Sequence, residues 1–286
     1  MTPYIRFSSP AKLNLYLKVL GKRPDGFHNI VTLFQRISLC DHLAFRRNPG
    51  GNIHIRCDHP HVPCGPKNLV YKVAQKIKEL YQIRDGLDIS IKKNIPVAAG
   101  LAGGSSNAAT TLLALNKLWG LKLSRGRMTE IGREIGSDVP FFLYDTSWAL
   151  GMERGDNIRP LKLAAKIWQT VVVPRVKMYA GTVYQGLNSK LTKTGADVNI
   201  LTHCLRRNDL NRAGELLFND LEPVVLGLRP SLCLLGQRLN ALRAKGVMVS
   251  GSGPAIFGLM ADARQAQAAR KILIKRYSQV FVTSTL

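Results

Sequence analysis

Alternation of apolar and polar side chains marks the first element of the chain. Ala11, Leu13, Leu15, Leu17 and Val19 alternate with Lys12, Asn14, Tyr16 and Lys18. A period of two is that of a half-buried strand. It puts Lys12 and Asn14 on one polar face, about 7 Å apart at the usual strand rise. Further strands are predicted at 30–39, 42–47, 53–57 and 87–92, and helical spacing predicts helices at 68–80, 107–118 and 127–135. Pro140, following Asp138-Val139, limits helix there. A hairpin is predicted from 148–152 and 156–161, then an apolar strand at 167–173. Helices follow at 180–187, 210–217 and 231–245, the last stopped by Gly246. The chain closes with strands at 247–249 and 256–260, a helix opened by Asp262, and a strand at 280–283. That β-β-α-β ending suits an antiparallel sheet with helices on one side, an α+β domain. The boundary is expected near 155–165, dividing the chain into 1–160 and 161–286.

One segment breaks the periodicity. Ile95-Pro96-Val97-Ala98-Ala99-Gly100-Leu101-Ala102-Gly103-Gly104-Ser105-Ser106-Asn107-Ala108-Ala109 is a small-residue loop running into a helix. Small residues let a ligand approach the backbone closely, and glycine permits positive φ. Ala98, Ala99 and Ala102 are expected at negative φ, with Gly100, Gly103 and Gly104 free to turn. Ser105 or Ser106 is suited to cap the helix, whose apolar residues Ala108, Ala109, Leu112, Leu113 and Leu115 predict one buried face. The first N–H groups of a helix lack internal partners and carry partial positive charge, which suits a phosphate. The segment is no Walker loop, because no lysine precedes Ser105, and the Gly-x-G-x-x-Gly pattern of dinucleotide folds is missing.

Composition narrows the class. The chain has 286 residues, 45% hydrophobic and 21% charged, as in a globular protein with a sizeable core. No run approaches the roughly 20 apolar residues of a membrane span. The N-terminus lacks the apolar core of a secretion signal, so a cytoplasmic protein with no membrane partner is expected. Five scattered cysteines suit reduced thiols. The stretch 57–64, Cys-Asp-His-Pro-His-Val-Pro-Cys, fits no common zinc spacing and reads as an irregular loop. The formal net charge of +23 is the unusual number. Its lysines and arginines are dispersed, without basic tails or interleaved aromatics, so no specific nucleic-acid partner is expected. Such a field also attracts anionic small molecules.

The pattern Pro-x-x-x-Gly-Leu-x-x-Gly-Ser-Ser-x-Ala over 96–108 resembles the phosphate loop of the GHMP kinases. The N-terminal stretch 9–17, Ser-Pro-Ala-Lys-Leu-Asn-Leu-Tyr-Leu, and the late turn 249–257, Val-Ser-Gly-Ser-Gly-Pro-Ala-Ile-Phe, resemble two further motifs of that superfamily, in the same order. Arg-Pro-Asp-Gly-Phe-His at 23–28 and Gly-Ser-Asp-Val-Pro-Phe-Phe at 136–142 narrow the likeness to members of the non-mevalonate isoprenoid route whose small-molecule substrate is the cytidyl diphosphate of methylerythritol.

The resemblance, not the periodicity, implies an N-terminal ATP-binding domain like ribosomal protein S5 domain 2 (1–160) and a ferredoxin-like C-terminal domain (161–286). It implies ATP and Mg²⁺, with Pro96, Gly100, Leu101, Ala102, Gly103, Gly104, Ser105 and Ser106 around the phosphates and Asn68 and Lys93 near adenine. Asp138 resembles the catalytic base and Lys12 its partner. Asn14, Phe27, His28 and Tyr184 fall where the acceptor substrate binds, and 251–253 forms a turn closing on the site. Each has a plainer reading as well. Asp138 suits a turn before Pro140, Lys12 a solvated strand lysine, Asn68 a helix cap, Lys93 an edge charge, His28 a surface histidine, and Phe27 and Tyr184 core packing. No metal-ligating set is readable; Mg²⁺ is expected to bridge the β- and γ-phosphates. Another GHMP small-molecule kinase, of homoserine or mevalonate type, and a basic RNA-binding protein with an S5-like domain remain as alternative readings.

Overall fold

A computed structural model describes residues 3–187 and 197–286. The chain clusters into two compact units: Met1–Ala11, Leu39–Val97 and Ala102–Asp145 form the first, and Lys12–Ser38, Ala98–Leu101 and Thr146–Leu286 the second. Two long strands run through both, β1 (Ile5–Lys22) and β2 (His28–Asn48).

In the first unit, β2 pairs antiparallel with β4 (Gly86–Lys92), and β4 pairs parallel with β3 (Ile53–Cys57). Leu43, Phe45, Ile55, Leu87, Ile89 and Ile91 form the buried face of these strands. Helices α1 (Leu69–Leu80), α2 (Gly103–Leu118), α3 (Arg125–Ile135) and α4 (Val139–Leu143) pack together in this unit. Asn68 is the N-cap of α1, its side chain accepting from Val70 N. Helix α2 buries every residue over two consecutive turns, from Ser106 to Leu112, rather than one face. Pro140 does not prevent helix: it lies in the first turn of α4, where its missing N–H has no helical acceptor to lose.

In the second unit, β1 is flanked by β2 and, in parallel, by β8 (Phe218–Asn219), while β5 (Trp148–Glu153) and β6 (Asn157–Leu161) form the expected hairpin, which extends β2. A second sheet contains β7 (Trp168–Val172), β9 (Gly246–Val249), β10 (Ile256–Met260) and β11 (Val280–Ser284) in the order β11-β7-β10-β9, all antiparallel. The remaining helices are α5 (Ala180–Gln185), α6 (Val198–Arg206), α7 (Leu210–Glu215), α8 (Glu222–Leu228), α9 (Ser231–Ala241) and α10 (Ala263–Leu273). Leu232, Leu235 and Leu239 of α9 and Ala266, Ala269 and Leu273 of α10 pack with Val172, Ile256, Met260 and Val280 on one face of that sheet. Each fully buried leucine contributes roughly 1.5–3 kcal/mol.

Besides the differences in α2 and α4, the sequence pattern does not predict α6, β8 or α8, and three more elements differ from the sequence expectation. The predicted strands at 30–39 and 42–47 are one continuous strand, β2. Strand β1 is buried on both faces from Ala11 to Leu17, because it is a central strand, so Lys12 and Asn14 occupy interior positions. Helix α9 ends at Ala241, with Arg243 at φ 60°, and Gly246 opens β9 instead of capping the helix. A Cβ on Gly246 would lie 2.6 Å from Gly214 Cα, so glycine there permits close approach to α7. Among the described residues no helix is long and apolar enough to cross a membrane.

Candidate active site

The small-residue loop is divided between the two units. In the first, Ala102 is the N-cap of α2, with left-handed dihedrals (φ 54°, ψ 29°) and no side-chain cap. Ser106 N bonds Ala102 O at 2.9 Å, so Gly103, Gly104 and Ser105 present N–H groups with no acceptor inside the helix. The helix therefore begins four residues before its predicted start, at the glycines, and neither serine caps it. Ser106 is fully buried, its Oγ 2.8 Å from Ser9 Oγ; Ser9 also donates to Asn107 Oδ1 at 2.8 Å. Sequence reasoning passed over Ser9, although it opens the first motif. Ser105 and Asp138 are half-buried. Asp138 stands at the N-cap position of α4, without a side-chain cap bond.

Ala98 and Ala102 both adopt φ 54°, against the expected negative values, whereas Gly103 and Gly104 are helical and only Gly100 among the loop glycines is positive, at 79°. A left-handed alanine costs roughly 1–2 kcal/mol, which surrounding contacts must offset. Gly103 is required for another reason: a Cβ there would lie 2.9 Å from Ile95 Cγ2 and 3.1 Å from Lys93 Nζ. Lys93 is no solvated edge charge. Its ammonium pairs with Asp41, and the two side chains are 5% and 0% exposed. Asp41 also accepts from Asn94 N (2.7 Å) and Ile95 N (2.8 Å), pinning the strand-to-loop exit before buried Pro96. Asp41, one carboxylate in a basic chain, is a second residue that sequence reasoning missed.

In the second unit, Lys12 Nζ donates to Asn14 Oδ1, Asn14 Nδ2 donates to Thr32 Oγ1 (2.7 Å), and Thr32 donates to Tyr16 O (2.7 Å). The ammonium also lies 5.5 Å from the centroid of the Phe34 ring. Asn14 thus orients the lysine. Lys12 N donates to Leu101 O (3.1 Å), tying the strand to the loop. The late turn meets the same residues: Gly251 has φ 56°, and a Cβ there would lie 3.0 Å from Asn14 Oδ1 and 3.5 Å from Lys12 Nζ. This unit also holds an aromatic group. The His28 and Tyr184 rings stack, with centroids 5.1 Å apart and planes 25° from parallel. Phe27, 51% exposed, has the Arg154 guanidinium 5.1 Å over its ring. Burial, and then the Lys22 charge, lowers the His28 pKa below its usual 6.5, favouring a neutral ring that both donates and accepts.

Two anion-facing features thus sit on the chain: a helix start with open N–H groups and a buried ammonium. The GHMP kinases N terminal domain model matches residues 68–146, and the GHMP kinases C terminal model matches 201–279. A 4-diphosphocytidyl-2-C-methyl-D-erythritol kinase of Syntrophotalea carbinolica is 40% identical over 94% of both chains. The chain belongs to the 4-diphosphocytidyl-2-C-methyl-D-erythritol kinase family of GHMP kinases. A family member from Syntrophus aciditrophicus is 41% identical over 95% of each chain. The crystal structure of a 4-(cytidine 5'-diphospho)-2C-methyl-D-erythritol kinase superposes with a TM-score of 0.86 at 31% identity, covering 99% of this chain and 100% of that one. The two-domain α+β GHMP kinase fold follows. The described residues include no cluster of three His, Cys, Asp or Glu side chains able to hold a metal.

Proposed function

We propose that the chain transfers the γ-phosphoryl group of ATP to the 2-hydroxyl of 4-diphosphocytidyl-2-C-methyl-D-erythritol, releasing ADP and the 2-phosphate. Asp138 takes the hydroxyl proton, the freed oxygen forms the new P–O bond, and the bond to the β,γ-bridging oxygen breaks. Lys12, held by Asn14, balances charge on the transferring group. The N–H groups of Gly103, Gly104 and Ser105 receive nucleotide phosphate, with Pro96, Gly100, Leu101, Ala102 and Ser106 shaping the loop. Asn68 and Lys93 border the adenine. Mg²⁺ supplied with the nucleotide would neutralise phosphate charge during the transfer. Residues 1–160 serve as the ATP-binding domain and 161–286 as the C-terminal domain, in a cytoplasmic enzyme.

The observation that carries the choice of acceptor is the aromatic group. Phe27 offers an exposed ring for a base, and neutral His28, backed by Tyr184, offers a donor and an acceptor for a cytosine edge. A kinase of homoserine or mevalonate has no base to stack. The test is ADP formation by purified protein with ATP, Mg²⁺ and the cytidyl substrate, beside homoserine and mevalonate, with Asp138→Asn as control. Turnover with the cytidyl substrate alone, lost in the variant, is expected. Turnover with either other acceptor would overturn the assignment.

A further inference from the structure

We propose that Asn219 is a positioning residue for nucleotide binding, acting through the late glycine turn on the phosphate loop. This deepens the kinase reading and rests on it. Asn219 ends β8 and is 5% exposed. Its Nδ2 donates to two carbonyls at once, Val249 O (2.9 Å) and Gly251 O (2.8 Å). Its Oδ1 accepts from Leu221 N (3.0 Å). Both amide hydrogens are used, so the side chain spans the first half of the turn and fixes where the Gly251 carbonyl points.

The turn in turn grips the loop. Ser250, fully buried, donates through Oγ to Gly100 O (3.1 Å), and Ala255 N donates to Ala99 O (3.1 Å). A Cβ at Gly100 would lie 2.2 Å from Ser250 O, so the two backbones are in contact. Asn14 N completes the set by donating to Ser250 Oγ at 3.4 Å. A chain of hydrogen bonds therefore runs from Asn219 to Val249 and Gly251, and from Ser250 to Gly100. Two flanking bonds fix the β8 end: Asp220 Oδ2 accepts from Val19 N (2.7 Å), and Glu222 Oε1 accepts from Val249 N (2.8 Å). The glycines give the turn its shape but leave it compliant. Asn219 supplies the rigidity that the loop carbonyls need.

The test compares Asn219→Ala and Ser250→Ala with wild type, measuring KM for ATP, KM for the acceptor, and amide hydrogen exchange over 98–104. Loss of the three hydrogen bonds of Asn219 should raise the KM for ATP by about tenfold, raise the acceptor KM by less because Gly251 also borders Asn14, and speed exchange in the loop. Ser250→Ala should give the same ATP-side pattern, more weakly, by cutting the next link. Asn219→Ser, which keeps one donor, should fall between, and it serves if Asn219→Ala does not fold. Equal changes in both Michaelis constants, or a lower melting temperature with unaltered constants and exchange, would overturn the proposal. If wild type fails to turn over the cytidyl substrate, the acceptor assignment falls instead. Nucleotide titration with the same variants and the exchange data then decide the role of Asn219.

Discussion

Replacing Asp41 by asparagine isolates the buried ion pair beneath the phosphate loop. Asp41 is fully buried and Lys93 is 5% exposed at the side chain, so solvent does not screen the pair as it would on the surface. The carboxylate accepts from Asn94 N and Ile95 N as well as the ammonium. Asparagine keeps an oxygen for the backbone donors but turns a neutral amide toward Lys93. Breaking a buried pair by removing one partner costs about 3–5 kcal/mol, and the retained backbone bonds favour the lower end. At about 2–4 °C per kcal/mol for a chain of this size, a loss of about 3 kcal/mol lowers the melting temperature by roughly 6–12 °C. Thermal and urea unfolding, followed by circular dichroism, read this directly. Lys93→Met and the double variant complete a cycle: with both charges gone, no ammonium remains stranded, so the double variant should be more stable than Asp41→Asn alone. Strictly additive losses, or a change below about 0.5 kcal/mol for Asp41→Asn, would refute the pair's role, because neither fits a desolvated charge losing its partner.

Two further outcomes are expected. His28→Ala should raise the KM for the cytidyl substrate by roughly tenfold, one hydrogen bond and one stacking contact, while leaving ATP affinity unchanged; parallel losses would show that His28 supports the fold instead. Burial raises the pKa of Glu222 above its usual 4.5, so its folded-state carboxyl holds a proton that the unfolded chain releases. The stability this contributes is complete below about 4.5 and is lost as pH rises through the raised value. Glu222→Gln keeps the acceptor for Val249 N without that loss, so its melting temperature relative to wild type should climb as pH rises above about 4.5; a constant offset would show that Glu222 is not proton-linked.

Much of this molecule was readable along the chain because the relevant forces act over a few residues. Sequence pattern located β3, β4 and the β5–β6 hairpin, and the caps at Asn68 and Asp262 sit where a polar side chain precedes an apolar helical run. Ordered motifs gave the family, since small residues before a helix start suit a phosphate whatever surrounds them. Tertiary structure decided the rest. Local preference puts alanine at negative φ, yet Ala98 and Ala102 are left-handed. Ser106 looks like a cap, yet its hydroxyl meets Ser9, 97 residues earlier. Lys12 and Asn14 look solvent-facing, yet a central strand buries them beside Thr32 and Gly251. The contacts that give Asp41 and Asn219 their roles here are long-range, 52 residues away at Lys93 and 32 away at Gly251. Sequence pattern determined which segments fold and what chemistry they bring. Only long-range contact, by removing water from chosen polar groups and leaving each one acceptor or donor to find, determined how that chemistry is held.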